Sequence, residues 1–238
     1  MDTKKKTKSL RNTIMLLTGL LVVLTAVSIG LNGVLSIKDM SETAYNTYVA
    51  AVNSGYNAEI KSEVQSTISV LQSEYDKFLA GEKTEEQAKT DAKEIIRIMR
   101  YRDDASGYFW IDDTDYILVM HPILVDQEGA YRFELEDPNG VMIIQQIMKT
   151  CQSEEKGGFN EFYFTKSDGV TVAPKVAYSQ IFEPWGWIVS TGNYVDDMEK
   201  DMAEVKTYLQ KSYDNALLRV DVVFILVVVL ALAIAFFY

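Results

Sequence analysis

The sequence predicts an α+β domain, a five-stranded antiparallel sheet with segregated helices, carried between two membrane-spanning helices. Three observations predict it. Long apolar runs lie near both ends of the 238-residue chain, an apolar stripe at helical spacing follows the first of them, and five short aromatic and β-branched runs separated by turn formers fill the centre.

Composition narrows the class before any element is placed. With 48% hydrophobic and 24% charged residues, 13 Gly and only 4 Pro, the chain has the material for a packed core and none of the bias of disordered or collagen-like sequences. The single Cys151 excludes an intrachain disulfide framework, and one Cys with one His excludes multi-cysteine and multi-histidine metal sites. The net charge of −11 is unevenly spread: Lys4, Lys5, Lys6, Lys8 and Arg11 crowd the first eleven residues against Asp2 alone, leaving 18 basic against 33 acidic residues beyond them. A body this acidic lacks the clustered cations that nucleic-acid phosphates require.

Residues 1–13 therefore read as a basic cytoplasmic head. Residues 14–36 carry no ionisable side chain and, at about 1.5 Å rise per residue, are long enough to cross an apolar layer of about 30 Å. The run exceeds the usual apolar region of a signal peptide and lacks a small-x-small cleavage site, so it is expected to be retained. Residues 220–238 form a second span just after Arg219. The basic head inside places residues 37–219 outside. Because the sequence stops on Phe236-Phe237-Tyr238, a cytoplasmic output module is expected beyond this chain.

Within the exterior region, Ile60, Val64, Ile68, Leu71, Tyr75 and Phe78 recur three and four apart, which predicts one buried stripe of a long helix that Gly81 ends. Thr84-Glu85-Glu86-Gln87 reads as a capping box opening a second helix whose buried face is Ala88, Ala92, Ile95, Ile96 and Met99. Residues 107–112 and 116–121 are expected to form a hairpin around Asp112-Asp113-Thr114-Asp115. Asp137-Pro138 predicts an N-cap with Pro at the first helical position, for a helix burying Val141, Ile144, Ile147, Met148 and Cys151 until Gly157-Gly158 stops it. Strands over 159–165, 170–182 and 186–193 follow, joined by Lys166-Ser167-Asp168-Gly169 and Glu183-Pro184-Trp185; a last helix runs from about Asp196 into the second span.

No nucleophile elbow, Walker loop or His-Glu-x-x-His motif is present, and the adjacent pairs Asp103-Asp104, Asp112-Asp113 and Asp196-Asp197 read as caps and turns, so no enzyme, cofactor or metal site is expected. Binding is better supported. Tyr108, Phe109, Trp110, Tyr116, His121, Tyr131, Phe133, Tyr163 and Tyr178 crowd the sheet region and suit either an aromatic core or the wall of a small pocket. Lys175 stands alone in an apolar mid-strand setting, where its ammonium needs an anionic partner from the protein or from a ligand. Strict alternation would put Lys175 and Tyr178 on opposite faces; a bulge at Pro174 would change that.

Gly107-Tyr108-Phe109-Trp110-Ile111, Met120-His121-Pro122, Asp137-Pro138-Asn139-Gly140, Pro174-Lys175-x-x-Tyr178 and the stretch from Pro184-Trp185-Gly186-Trp187 through Thr191-Gly192 to Tyr194-Val195-Asp196-Asp197 occur in that order. Together they resemble the single Cache (sCache_2-type) sensor domain of bacterial methyl-accepting chemotaxis proteins. The resemblance implies a PAS-like five-stranded sheet, a long N-terminal helix that pairs in a homodimer, residence in the bacterial cell membrane, and a pocket for a small organic ligand, often a short-chain carboxylate. Carried over residue by residue, Tyr108 and Trp110 would line the pocket and Lys175 with Tyr178 would meet the anionic group. His121 would either hydrogen-bond in the pocket or serve as a buried structural donor. Tyr131-Arg132-Phe133 departs from the small polar loop usual in the family, and Arg132 is either a second ligand cation or a solvent-facing one. Two other readings stay open: the input domain of a histidine kinase or diguanylate cyclase, and a membrane-anchored interaction domain without a small ligand.

Overall fold

The computed structural model describes residues 2–166 and 168–237; the Lys4, Lys5, Lys6 and Lys8 side chains of the expected basic head, Ser167 of the expected turn and the terminal Tyr238 lie outside the described residues. Four helices and five strands follow in the order α1 (Asp2–Leu79), α2 (Glu85–Ile98), β1 (Trp110–Asp113), β2 (Leu118–Met120), α3 (Ile143–Cys151), β3 (Gly157–Thr165), β4 (Val172–Phe182), β5 (Trp187–Tyr194) and α4 (Val195–Phe237). Residues 1–50 with 202–238 form one compact unit and residues 51–201 another.

The first unit contains the apolar parts of α1 and α4, both long and apolar enough to cross a membrane. Their large hydrophobic side chains, Leu16, Ile29, Leu31, Leu226 and Leu232 among them, are more than half exposed, the surface that lipid rather than water accommodates.

The second unit is a sheet of order β2-β1-β5-β4-β3, antiparallel throughout. Strand alternation gives the sheet two apolar faces, and helices cover both. On one face Ile60, Val64 and Leu71 of α1 and Ala88, Ala92 and Ile96 of α2 pack on Phe109, Ile111, Met120, Tyr178, Phe182, Trp187 and Val189. On the other, Ile143, Ile144, Ile147, Met148 and Cys151 of α3 pack on Tyr108, Trp110, Phe162, Ala177 and Ile188. The predicted α1 stripe is thus buried, with Ile68, Tyr75 and Phe78 at its margin.

The capping box at α2 is complete, Gln87 N–H donating to the Thr84 hydroxyl and Thr84 N–H to the Gln87 side chain. Ile95 departs from the predicted face and is 39% exposed, one step round the helix from Ile96.

Two expectations about α3 are corrected. Asp137 does not cap the helix, which begins six residues later with Met142 at its N-cap. The Asp137 carboxylate instead accepts from Asn139 N–H and Val141 N–H and, through its other oxygen, from Tyr163 N–H on the edge strand β3, which ties the loop to the sheet. Nor do the glycines stop α3: it ends at Cys151, and Gly157 and Gly158 open β3. A Cβ on Gly157 would stand 2.7 Å from the Ser179 carbonyl oxygen, so the close β3–β4 approach requires glycine there.

Candidate functional site

Between the sheet and α3 lies a cavity lined by Trp110, His121, Arg132, Leu135, Ile143, Ile144, Phe162, Phe164 and Lys175. About 270 Å³ of non-atom space lies among these side chains, including the part open to solvent, and the enclosed portion is narrow. That is room for one water or, with slight relaxation of the walls, a ligand of a few heavy atoms.

Lys175 enters from β4 and is 2% exposed. Its ammonium nitrogen donates to the Tyr108 hydroxyl at 3.1 Å and sits 4.7, 4.7, 4.9 and 5.7 Å from the ring centres of Tyr108, Trp110, Tyr194 and Phe164. Those distances are within the range of cation–π attraction. Among the described residues no carboxylate lies within ion-pair distance of it. Burial alone would raise the Tyr108 hydroxyl pKa, but the Lys175 charge and hydrogen bonds hold it below its ordinary value. Tyr194, whose hydroxyl donates to the Thr165 carbonyl at 2.8 Å, is pushed up by burial and by its neighbour Tyr108.

His121 follows β2 and is 2% exposed. Its Nδ1 accepts from the backbone N–H groups of Ile123 and Leu124, each at 3.1 Å, so the ring proton resides on Nε2. Burial, with help from the charges of Lys175 and Arg132, pushes its pKa down to about 3 and keeps the ring neutral. Glu128 holds this corner, accepting from His121 N–H at 2.9 Å and from both terminal nitrogens of Arg97 on α2.

Arg132 is not a solvent-facing loop cation. It is 7% exposed, and its guanidinium makes a two-pronged pair with the fully buried Asp112, 3.0 Å from Nε and 2.8 Å from Nη2. The expectation that Asp112-Asp113 is merely a turn pair is corrected with it. Strand alternation in β1 sends Asp112 to the cavity side with Trp110, while Asp113 alone makes the turn by accepting from Asp115 N–H and Ile117 N–H. Burial, opposed by Arg132, leaves the Asp112 carboxyl raised to about 6. Tyr131 and Phe133, which flank Arg132, point outward and stack on each other at 6.1 Å.

Of the six predicted site residues, Tyr108, Trp110, His121, Arg132 and Lys175 converge and Tyr178 does not. β4 pairs without interruption with β3 and β5, so Pro174 makes no bulge and Tyr178 faces α1. There it packs edge-on against Phe159, with Lys61 over its ring. Tyr194, Phe162 and Phe164 were missed. Tyr194 was within reach: counting back from the Glu183–Gly186 turn puts it directly opposite Lys175. Among the described residues no group of three or more His, Cys, Asp or Glu could hold a metal ion.

Residues 52–207 match the family model described as Single Cache domain 2. The chain is a member of the single Cache family. The matched range runs from the later part of α1 through β5 into the start of α4. The chain is 31% identical over 124 residues to the methyl-accepting chemotaxis protein McpP of Pseudomonas putida, covering 52% of this chain and 22% of that protein. It is 28% identical over 160 residues to the sensor histidine kinase MctS of Rhizobium johnstonii, covering 67% and 33%. It therefore spans less than half the length of these curated relatives. A solved Cache chemosensory domain, studied for the structural basis of carboxylic acid recognition, superposes with a TM-score of 0.57 at 27% identity over 61% of this chain and 97% of that one. The single Cache fold here is accordingly that of a ligand-binding sensor domain of chemoreceptors or sensor kinases.

Proposed function

We propose that this chain is the extracytoplasmic sensing and membrane-crossing part of a bacterial chemoreceptor, and that its ligand is a short-chain monocarboxylate held in the cavity by Lys175 and His121. One observation carries the reading: the Lys175 ammonium is buried, caged by aromatic faces and without a carboxylate partner among the described residues. A buried cation left in that state costs stability unless an anion completes it.

The cavity's polar groups are donors. Lys175 supplies N–H groups, His121 supplies Nε2–H, and the nearby carboxylate, Asp112, is taken up by Arg132. A carboxylate, all acceptor, matches this set, whereas the ammonium of an amino acid would find no partner. Leu135, Ile143, Ile144, Phe162 and Phe164 then surround the ligand's hydrocarbon end and limit its length.

Occupancy would bias two packings of the helices in a homodimer paired through α1, and a small displacement of α4, which follows β5 directly, would pass inward. The orientation rests on the basic head. A histidine kinase output is the second reading, favoured by the larger share of this chain that aligns with MctS.

The test is calorimetric titration of the whole chain in lipid nanodiscs with acetate, propionate, alanine and adenine. The monocarboxylates should saturate one site per chain, and alanine and adenine should not. Binding of none of the carboxylates to the folded protein would overturn the proposal.

A further inference from the structure

The cavity presents two cations, yet they are not equivalent. Arg132 lies in the wall with its Nε–Nη2 edge paired to Asp112, which is fully buried; Lys175 faces the cavity with aromatic rings and a hydroxyl around it. His121 is neutral by its tautomer, its Nδ1 occupied by two backbone donors. The charges around the cavity thus leave a surplus of one positive charge, and it resides on Lys175.

We infer that Asp112 is a positioning and specificity-determining residue: by neutralising the Arg132 guanidinium it leaves one uncompensated positive charge at the cavity and sets the site to accept a monoanion and reject a dianion. The inference rests on the carboxylate reading above and deepens it. In water-excluded surroundings a unit charge a few ångströms away is felt strongly, so an unmatched second negative charge on a ligand meets only the one free ammonium while the Asp112 carboxylate repels it. Removing the Asp112 charge reverses both effects, because the guanidinium charge in the cavity wall is then uncompensated and the repulsion on a second ligand carboxylate is gone. The Asp112 carboxylate is held between the Arg132 guanidinium and the Trp110 indole N–H, and the turn it abuts is closed by Asp113 alone.

The experiment compares pyruvate and oxalate, planar ligands with the same number of heavy atoms that carry one and two negative charges at neutral pH, by calorimetry on the whole chain in nanodiscs. The native chain should prefer pyruvate by at least about tenfold, and Asp112→Asn should move the oxalate-to-pyruvate affinity ratio upward by at least about tenfold. A merely structural role for Asp112 would weaken both ligands alike, leaving the ratio where it was, and that result would overturn the inference. Should Asp112→Asn fail to fold with its guanidinium unpaired, the neutral double variant Asp112→Asn/Arg132→Gln carries the test. It should keep the preference for pyruvate, since the surplus is again one charge, while Arg132→Gln alone should lose pyruvate affinity by at least about tenfold to the exposed Asp112 charge. Pyruvate binding in Arg132→Gln equal to that of the native chain overturns the inference. Absence of acetate, propionate and pyruvate binding in the native chain overturns the carboxylate reading itself, whereas binding with an unmoved ratio overturns only the role of Asp112.

Discussion

The Lys175 ammonium lies 3.1 Å from the Tyr108 hydroxyl and 4.9 Å from the centre of the Tyr194 ring, in the strand directly opposite, so the one mid-strand cation of β4 is enclosed by aromatic groups from β1's approach and β5. Lys175→Met keeps the stem and removes the charge. The unliganded protein should be as stable or more stable by about 1–3 kcal/mol, since a buried cation is replaced by a hydrophobe of similar length. The rise in unfolding temperature that saturating acetate gives the native chain should vanish in the variant; a rise of the same size in both would remove Lys175 from the site.

Asp112 and His121 pull the acid stability of the domain in opposite directions. His121 falls from 6.5 to about 3 on folding, so its neutral burial contributes stability that is lost as pH drops from 6.5 towards 3. Asp112 rises from 3.8 to about 6, so its contribution is present below 3.8 and is lost as pH climbs through 6. Between the two values the terms nearly cancel. Asp112→Asn should therefore expose a loss of roughly 1.4 kcal/mol per pH unit relative to the native chain on going from about pH 6 to about pH 4, and His121→Asn the opposite trend. Urea titrations at half-unit pH steps measure both differences, and parallel curves for all three proteins would contradict the assigned ionisations.

Gly192 of β5 stands opposite Ala177 of β4. A Cβ there would meet the Val176 carbonyl oxygen at 2.5 Å, the Ala177 Cα at 2.9 Å and the Lys175 stem at 3.0 Å. Two of these are backbone atoms of the paired strand and cannot swing aside. Gly192→Ala should cost about 3 kcal/mol and displace Lys175 enough to weaken acetate binding. Chemical denaturation reads the first effect and calorimetry the second; an unchanged midpoint would mean that the strands part more easily than the pairing indicates.

Cys151 is 1% exposed in the α3 core, and burial pushes its thiol up to about 12. Little thiolate forms at pH 8, and that little is shielded. Alkylation of the native chain by iodoacetamide should run at least about a hundredfold slower than in urea-unfolded chain. Mass spectrometry follows the rate, and labelling at the unfolded rate would show that α3 opens freely from the sheet.

How much of this was legible in the residues varies by element. The α1 stripe, the α2 capping box and the five strands could be read directly, because hydrophobic period and capping chemistry act over a turn or two of chain. The Asp137 assignment failed for the complementary reason. Asp-Pro is a sound local signal for a helix start, but the carboxylate found a partner in Tyr163 N–H, far along the chain on β3, and a distant donor leaves no trace in local spacing. Arg132 and Asp112, twenty residues apart, are the same case: neither neighbourhood indicates burial, and only the hairpin and the loop after it bring them to 2.8 Å.

By itself, then, the amino-acid sequence determined the class of fold, the two helices long and apolar enough to cross a membrane, the family and, of six residues proposed for the site, five that gather at the cavity. Tertiary structure decided which aromatic faces enclose Lys175, that Tyr178 turns away from it, which ring nitrogen of His121 carries the proton and which of two cations is already spent. Periodicity and propensity are set within a few residues, whereas the face a strand turns to the cavity and the partner a buried charge finds depend on pairing register and packing between segments far apart in the chain.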